Sequence, residues 1–173
     1  GGVRAWFETL ADDSELPLVV YDIPYRTGVT IARDTLLALA AHPRIQAIKD
    51  CGGDLGKTLA MLADGRLAVL AGEDLQIYSH LALGAAGAIS ACAHLQTERF
   101  VRLAEAINAG QLAQARALWH GLVPLIETLF AEPNPGPVKA ALAAAGWLAN
   151  ELRSPMQPAS EAVRQRLATL LAT

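Results

Sequence analysis

Lys49 closes the apolar run "RIQAIKDCGG" (44–53), in which Ile45, Ala47 and Ile48 read as a buried strand and Gly52 and Gly53 follow close behind. An amine held where a strand gives way to a loop is a candidate nucleophile. An unperturbed lysine has a pKa of about 10.4 and stays protonated at neutral pH. Dry, apolar surroundings disfavour the ammonium and free the lone pair. Such an amine condenses with a ketone to a Schiff base; the iminium is an electron sink, and loss of an adjacent proton yields an enamine nucleophile. The same pattern also fits a strand-end ion pair of Lys49 with Asp50 or Glu73, an arrangement more frequent than a catalytic lysine.

Two residues could assist that amine. Tyr21 ends another apolar stretch, "LPLVVYDI" (16–23). A phenol beside a Schiff-base lysine relays protons during imine formation and hydrolysis, although a strand-end tyrosine is also a common packing residue. Arg26 lies in the loop "PYRTG", where a guanidinium either holds a substrate carboxylate in a bidentate fork or is simply solvated. "CGGD" offers free N–H groups to an anion; the preferred reading is that its glycines let a substrate approach the backbone beside Lys49. His42, His80, His94 and His120 show no metal-ligand spacing, and of these only His94 falls near the presumed reactive face. Trp119 and Trp147 fall at helical core spacing.

The elements that would position these groups alternate. Strands are expected over 16–23, around Lys49, over 67–72 and over 87–93, and helices over 3–12, 32–42, 54–64, 74–84 and 97–110. Asp54 and Thr97 are the candidate N-caps, and Gly65 and Gly110 the helix stops. Alternation of this kind implies βα units and a parallel sheet. The strands are apolar at nearly every position, as in sheets covered on both faces. Four such units make a small doubly-wound sheet or half of an eight-stranded barrel, and in either case the reactive groups gather at the carboxyl ends of the strands. Beyond residue 110 only helices are expected, over 113–130, 138–147 and 160–172, so the chain reads as domains 1–110 and 111–173.

Of the 173 residues 53% are hydrophobic and 18% charged, with a net charge of −3 and no run of lysine and arginine. Nucleic acid, which requires clustered cations, is excluded as a partner. No apolar run reaches the roughly 18 residues of a membrane span, and no signal-peptide pattern is present, so a cytoplasmic protein is expected. Cys51 and Cys92 form no CxxC, so neither a disulfide framework nor a zinc site is indicated.

Taken in order, "VVYDIPYRTG", "IQAIKDCGG", "LAVLAGED", "GAAGAISACAHL" and "EPNPGPVKAAL" resemble the dihydrodipicolinate synthase / N-acetylneuraminate lyase family along the whole chain, the synthase branch most closely through Arg26-Thr27-Gly28. The resemblance implies a (β/α)8 TIM barrel, here strands five to eight, with a C-terminal helical extension. It implies a class I aldolase-type lyase that condenses pyruvate with an aldehyde, aspartate semialdehyde in the synthases, and so serves lysine and diaminopimelate biosynthesis. The alternatives are a pyruvate-dependent lyase of a 2-keto acid such as N-acetylneuraminate or a sugar keto acid, and a non-catalytic family remnant. Lys49 is then the Schiff-base lysine, Tyr21 the proton relay and Arg26 the holder of the aldehyde's carboxylate, while Gly72 and Ile89 line the pyruvate site. No cofactor or metal is implied beyond the covalent bond to substrate; a homo-oligomer, tetramer or dimer, is. Asp22 stands where the family generally has Asn, and Cys51-Gly52 where it has Ala-Thr. The family's first four βα units and its threonine pair have no counterpart in these residues, so these 173 residues alone are expected to be inactive, or to be the observed part of a longer enzyme.

Overall fold

The computed structural model describes residues 1–172, and the chain divides into two compact units, one of residues 1–89 and one from Ser90 onward. In the first unit four strands, β1 (Leu18–Asp22), β2 (Ile45–Asp50), β3 (Ala68–Ala71) and β4 (Gly87–Ala88), lie side by side in sequence order and all run parallel. Helices α1 (Gly2–Asp13), α2 (Pro24–Thr27), α3 (Arg33–Leu39), α4 (Leu55–Asp64) and α5 (Ile77–Ala82) precede and connect them. Each crossover is long enough to return the chain to the same end of the sheet, which parallel pairing demands. The expected α/β rhythm is therefore present, as an open four-stranded parallel sheet.

The core lies between the sheet and the helices. Val20, Ile48 and Val69 from the strands meet Leu36 and Leu39 of α3, Met61 of α4 and Ala11 of α1. Burial of both sheet faces was expected, but the exposure alternates: Val20 and Asp22 are buried, whereas Val19 is 50% and Tyr21 43% exposed. Among the described residues of this unit the helices cover one face, so β1 follows the two-residue period of a half-buried strand. The register pairs Tyr21 with Lys49 and Asp22 with Asp50. Tyr21 and Lys49 consequently share one face, and the two aspartates share the other.

Local signals account for both ends of α4. The Asp54 side chain accepts the Lys57 N–H (3.1 Å) at the start of α4, and Gly65 ends that helix at φ +73°. Three expectations need correction. The segment 87–93 is a strand only over Gly87–Ala88; the Ile89 N–H still bonds Ala71 O (2.9 Å), but β3 stops there and offers nothing further to pair with. The loop "PYRTG" contains the short helix α2, begun by Pro24 and closed by Gly28 at φ +69°. Thr97 is not an N-cap: Gln96 precedes the helix in a left-handed conformation, and the Thr97 hydroxyl donates to Ala93 O (2.7 Å).

The second unit holds α6 (Thr97–Asn108), α7 (Leu112–Leu129), α8 (Gly136–Ala144) and α9 (Glu161–Leu171). Its packed pairs are α6 with α7, α7 with α8 and α9, and α8 with α9. Leu103, Leu122, Leu125, Ile126, Leu129 and Leu167 are fully buried. Trp147, expected in the core, is 80% exposed because α8 ends at Ala144 and the helical spacing no longer applies. No described helix is long and apolar enough to cross a membrane.

Candidate active site

At the carboxyl ends of β1 and β2 the Lys49 Nζ sits over the Tyr21 ring, 4.3 Å from its centroid. Register and pleat explain the contact, since paired residues on adjacent strands lie about 5 Å apart and point the same way. Lys49 is half-buried, and among the described residues it makes no salt bridge. The strand-end ion pair with Asp50 or Glu73 is therefore not formed. Asp50, the adjacent residue, points to the opposite face, where other groups engage it.

The groups around the amine are held protonated. Burial pushes the Tyr21 phenol up to about 12, with the nearby Cys51 thiol and Glu73 carboxylate adding to the rise and Arg26 opposing it. Cys51, whose Sγ lies 4.0 Å from the Tyr21 hydroxyl, is likewise pushed to about 12 by burial and by Glu73. Tyr25 reaches about 12 from burial and the same carboxylate. At neutral pH both phenols and the thiol keep their protons. Tyr21 can therefore donate to a developing alkoxide or hydroxide and take the proton back.

Gly72 seals the site from the β3 side. Its N–H donates to Asp50 O (2.9 Å), and a Cβ there would lie 2.4 Å from Cys51 Sγ and 2.9 Å from Lys49 Cγ. Only a residue without a side chain leaves room for the lysine stem. Ile89 lies one residue past β4 and is 44% exposed. Arg26 is carried by α2, with its guanidinium 5.8 Å from the Tyr25 ring centroid. Thr27 orders that loop by donating to Ile23 O and Val29 O, both at 3.1 Å. Lys49, Tyr21, Arg26, Gly72 and Ile89 all belong to the first unit. His94 belongs to the second, with its ring bonded to Ala91 O.

Beneath the reactive face, on the helix side, lies a polar cluster that sequence reasoning missed. Asp22, Asp50, Lys57, Thr58 and His80 are each at most 5% exposed. Lys57 Nζ donates to Asp22 Oδ2 and to Ile31 O (3.4 Å), while Asp22 Oδ1 accepts the Ile31 N–H (3.4 Å). Asp50 accepts from the Thr58 hydroxyl (2.6 Å) and the Gly52 N–H (2.9 Å). Burial alone would raise the Asp50 pKa, but the His80 ring and these two donors outweigh it and leave the carboxyl below its usual value. At 3.6 Å the His80 Nε2 is too far for a hydrogen bond and acts through its field. A Cβ at Gly52 would lie 2.6 Å from Lys57 Nζ and 2.9 Å from Asp22 Oδ2, so this glycine makes room for the buried cluster. The signal for Lys57 was available: it shares the buried face of α4 with Thr58 and Met61.

An amine that makes no salt bridge among the described residues, a protonated phenol beneath it and a guanidinium that acts on that phenol suit carbonyl condensation. The model of the dihydrodipicolinate synthetase family matches residues 1–173. The chain is 42% identical over 169 residues to a 4-hydroxy-tetrahydrodipicolinate synthase of Exiguobacterium, covering 96% of this chain and 57% of the relative. It is 44% identical over 172 residues to 4-hydroxy-tetrahydrodipicolinate synthase 1 of Streptomyces coelicolor, covering 98% and 55%. Among solved structures, the chloride-inhibited dihydrodipicolinate synthase of Acinetobacter baumannii complexed with pyruvate superposes with a TM-score of 0.93 at 34% identity, over 99% of this chain and 60% of that one. The chain thus spans less than two thirds of the length of each of these relatives.

Proposed function

The chain belongs to the dihydrodipicolinate synthetase family, and from that premise we propose that Lys49 condenses with pyruvate and that the enamine attacks an aldehyde, aspartate semialdehyde, to form 4-hydroxy-tetrahydrodipicolinate for lysine and diaminopimelate synthesis. The observation that carries this reading is the position of the Lys49 amine, in no salt bridge among the described residues and 4.3 Å from the Tyr21 ring centroid at the ends of two paired strands. The Acinetobacter relative, described as complexed with pyruvate, supports the substrate.

In this scheme the Lys49 nitrogen bonds to C2 of pyruvate and the former carbonyl oxygen leaves as water, with Tyr21 relaying its protons. The C3 methyl loses a proton to give the enamine. C3 then bonds to the aldehyde carbon, whose oxygen takes a proton and becomes the hydroxyl. The aldehyde's own amine attacks C2, closes the ring and releases Lys49. Arg26 holds the aldehyde's carboxylate by a charge-assisted fork, and Gly72 and Ile89 border the pyruvate. The covalent imine takes the place of any cofactor. The sheet is read as strands five to eight of a (β/α)8 barrel, residues 1–110 as the second half of that barrel and 111–173 as a helical extension, in a cytoplasmic homo-oligomer.

Incubation of the intact protein with pyruvate and borohydride tests the chemistry. A mass gain localised to Lys49 is expected, and its absence refutes a Schiff-base enzyme. Turnover of aspartate semialdehyde, and not of N-acetylneuraminate or sugar keto acids, is the expected second result.

A further inference from the structure

The loop carrying Arg26 leaves the sheet at Asp22 and returns to the core at Ile31, and both ends are held by one cation. Lys57 Nζ donates to the Asp22 carboxylate at the outgoing end and to the Ile31 carbonyl (3.4 Å) at the returning end. Asp22 Oδ1 adds a long bond to the Ile31 N–H (3.4 Å). Lys57 is 3% and Asp22 1% exposed, so this closure is shielded from solvent and salt. Between the two ends Tyr25, Arg26, Gly28 and Thr30 are exposed; Thr27 makes local bonds there, and the Tyr25 phenol interacts with the Glu73 carboxylate. Lys57 projects from the first turns of α4, on the face of the sheet opposite Lys49. It cannot reach a substrate on the reactive face, but it sets the base from which the guanidinium is presented.

The geometry points to Lys57 as the positioning residue for Arg26: by joining both ends of the 22–31 loop, it fixes the anion-binding guanidinium of the aldehyde site without taking part in formation of the pyruvate imine. The inference rests on the reading of Arg26 as the holder of the second substrate's carboxylate. It assigns to the buried pair a role in recognition of one substrate and not the other. The Ile31 side chain is itself 6% exposed within the core cluster, so loss of the cation frees the loop's backbone without removing its apolar anchor.

The test compares the intact protein with Lys57→Met, Arg26→Ala, the Lys57→Met/Arg26→Ala double variant, and Asp22→Asn/Lys57→Met. The last keeps the buried volume while leaving no unpaired charge, and it decides the matter if Lys57→Met fails to fold. Two quantities are read: the rate of pyruvate trapping at Lys49 by borohydride, and the KM for aspartate semialdehyde. Both Lys57→Met and the neutral pair are expected to raise that KM by about 10- to 100-fold, the scale on which misplacement of a binding group acts. Pyruvate trapping should stay within about threefold of the parent, because uniform loss of binding to one substrate leaves the other step untouched. Adding Lys57→Met to Arg26→Ala should cost nothing more, since a residue that acts through Arg26 has nothing left to position. Equal losses in trapping and in aldehyde KM, additive effects with Arg26→Ala, or an unchanged KM would each overturn the inference. Failure of the parent protein to trap pyruvate is a separate result and refutes the proposed function instead.

Discussion

Replacement of Gly52 by alanine probes the buried cluster directly. The added Cβ would lie 2.6 Å from Lys57 Nζ, 2.9 Å from Asp22 Oδ2 and 3.1 Å from Asp50 Oδ1. Optimal contacts between non-bonded heavy atoms are about 3.5 Å or longer, so the ammonium must retreat by roughly 1 Å. A free lysine tip would move at little cost. This one is 3% exposed and bonded to a carboxylate and a carbonyl, so its retreat stretches a buried ion pair. Overpacking costs typically about 1–3 kcal/mol, and complete loss of a buried partner about 3–5 kcal/mol. The expected destabilisation is therefore about 1–3 kcal/mol, with the higher figure as a ceiling. Urea unfolding at pH 7 measures it. Gly53→Ala is the control: that site has φ +69° and open space, so it costs backbone strain of about 1–2 kcal/mol and no clash. The deciding comparison uses a Lys57→Ala background, where the nearest atom is gone. There the Gly52→Ala penalty should shrink by about 1 kcal/mol or more while the Gly53→Ala penalty stays the same. A Gly52→Ala protein within about 0.5 kcal/mol of the parent, or an equal penalty in both backgrounds, would refute the reasoning.

Three further outcomes follow from the same geometry. Tyr21→Phe should slow imine formation by about 10²–10⁴-fold, the usual worth of a proton relay, and leave the melting temperature nearly unchanged because the ring is 43% exposed; stopped-flow trapping against calorimetry tests this, and an equal rate sinks the relay. Thr58→Val removes the 2.6 Å hydroxyl donor to Asp50 and should cost about 1.5–3 kcal/mol at pH 7. Asp50 has a folded-state pKa below its unfolded one, so its contribution is present above the unfolded carboxylate pKa and is lost as the pH falls through the folded value. The Thr58→Val deficit should accordingly narrow in acid, and a deficit that is constant with pH would contradict the assignment. Cys51, with its thiol at about 12 through burial and the Glu73 carboxylate, should resist a disulfide exchange reagent at pH 8 and react once the chain is unfolded; stoichiometric labelling of the native Cys51 would contradict its burial.

The alternation of strand and helix, the cap at Asp54, the stop at Gly65 and the strand-end position of Lys49 were all legible in the amino-acid order. Each is a local property: periodicity, capping chemistry and breakers act over a few residues. The shortness of β4 was not legible, because a strand lasts only as long as its neighbour supplies partners, and β3 ends at Ala71. Nor was the fate of Gly52, which reads as a loop glycine near a reactive amine and proves to be room for a buried cation.

For the site itself, the order of residues marked which side chains could react, and the register decided which of them meet. Tyr21 and Lys49 are 28 positions apart by number, yet they are paired across β1 and β2 and fall on one face. The same register sends Asp22 and Asp50 to the other face, where Lys57 and Thr58 from α4 and His80 from α5 receive them. The physical reason is that a side chain's face is set by its own strand's pleat, whereas its partners are set by how neighbouring strands and helices are aligned. Lys49 and Lys57 differ by eight positions, and only their placement on opposite sides of the sheet tells them apart.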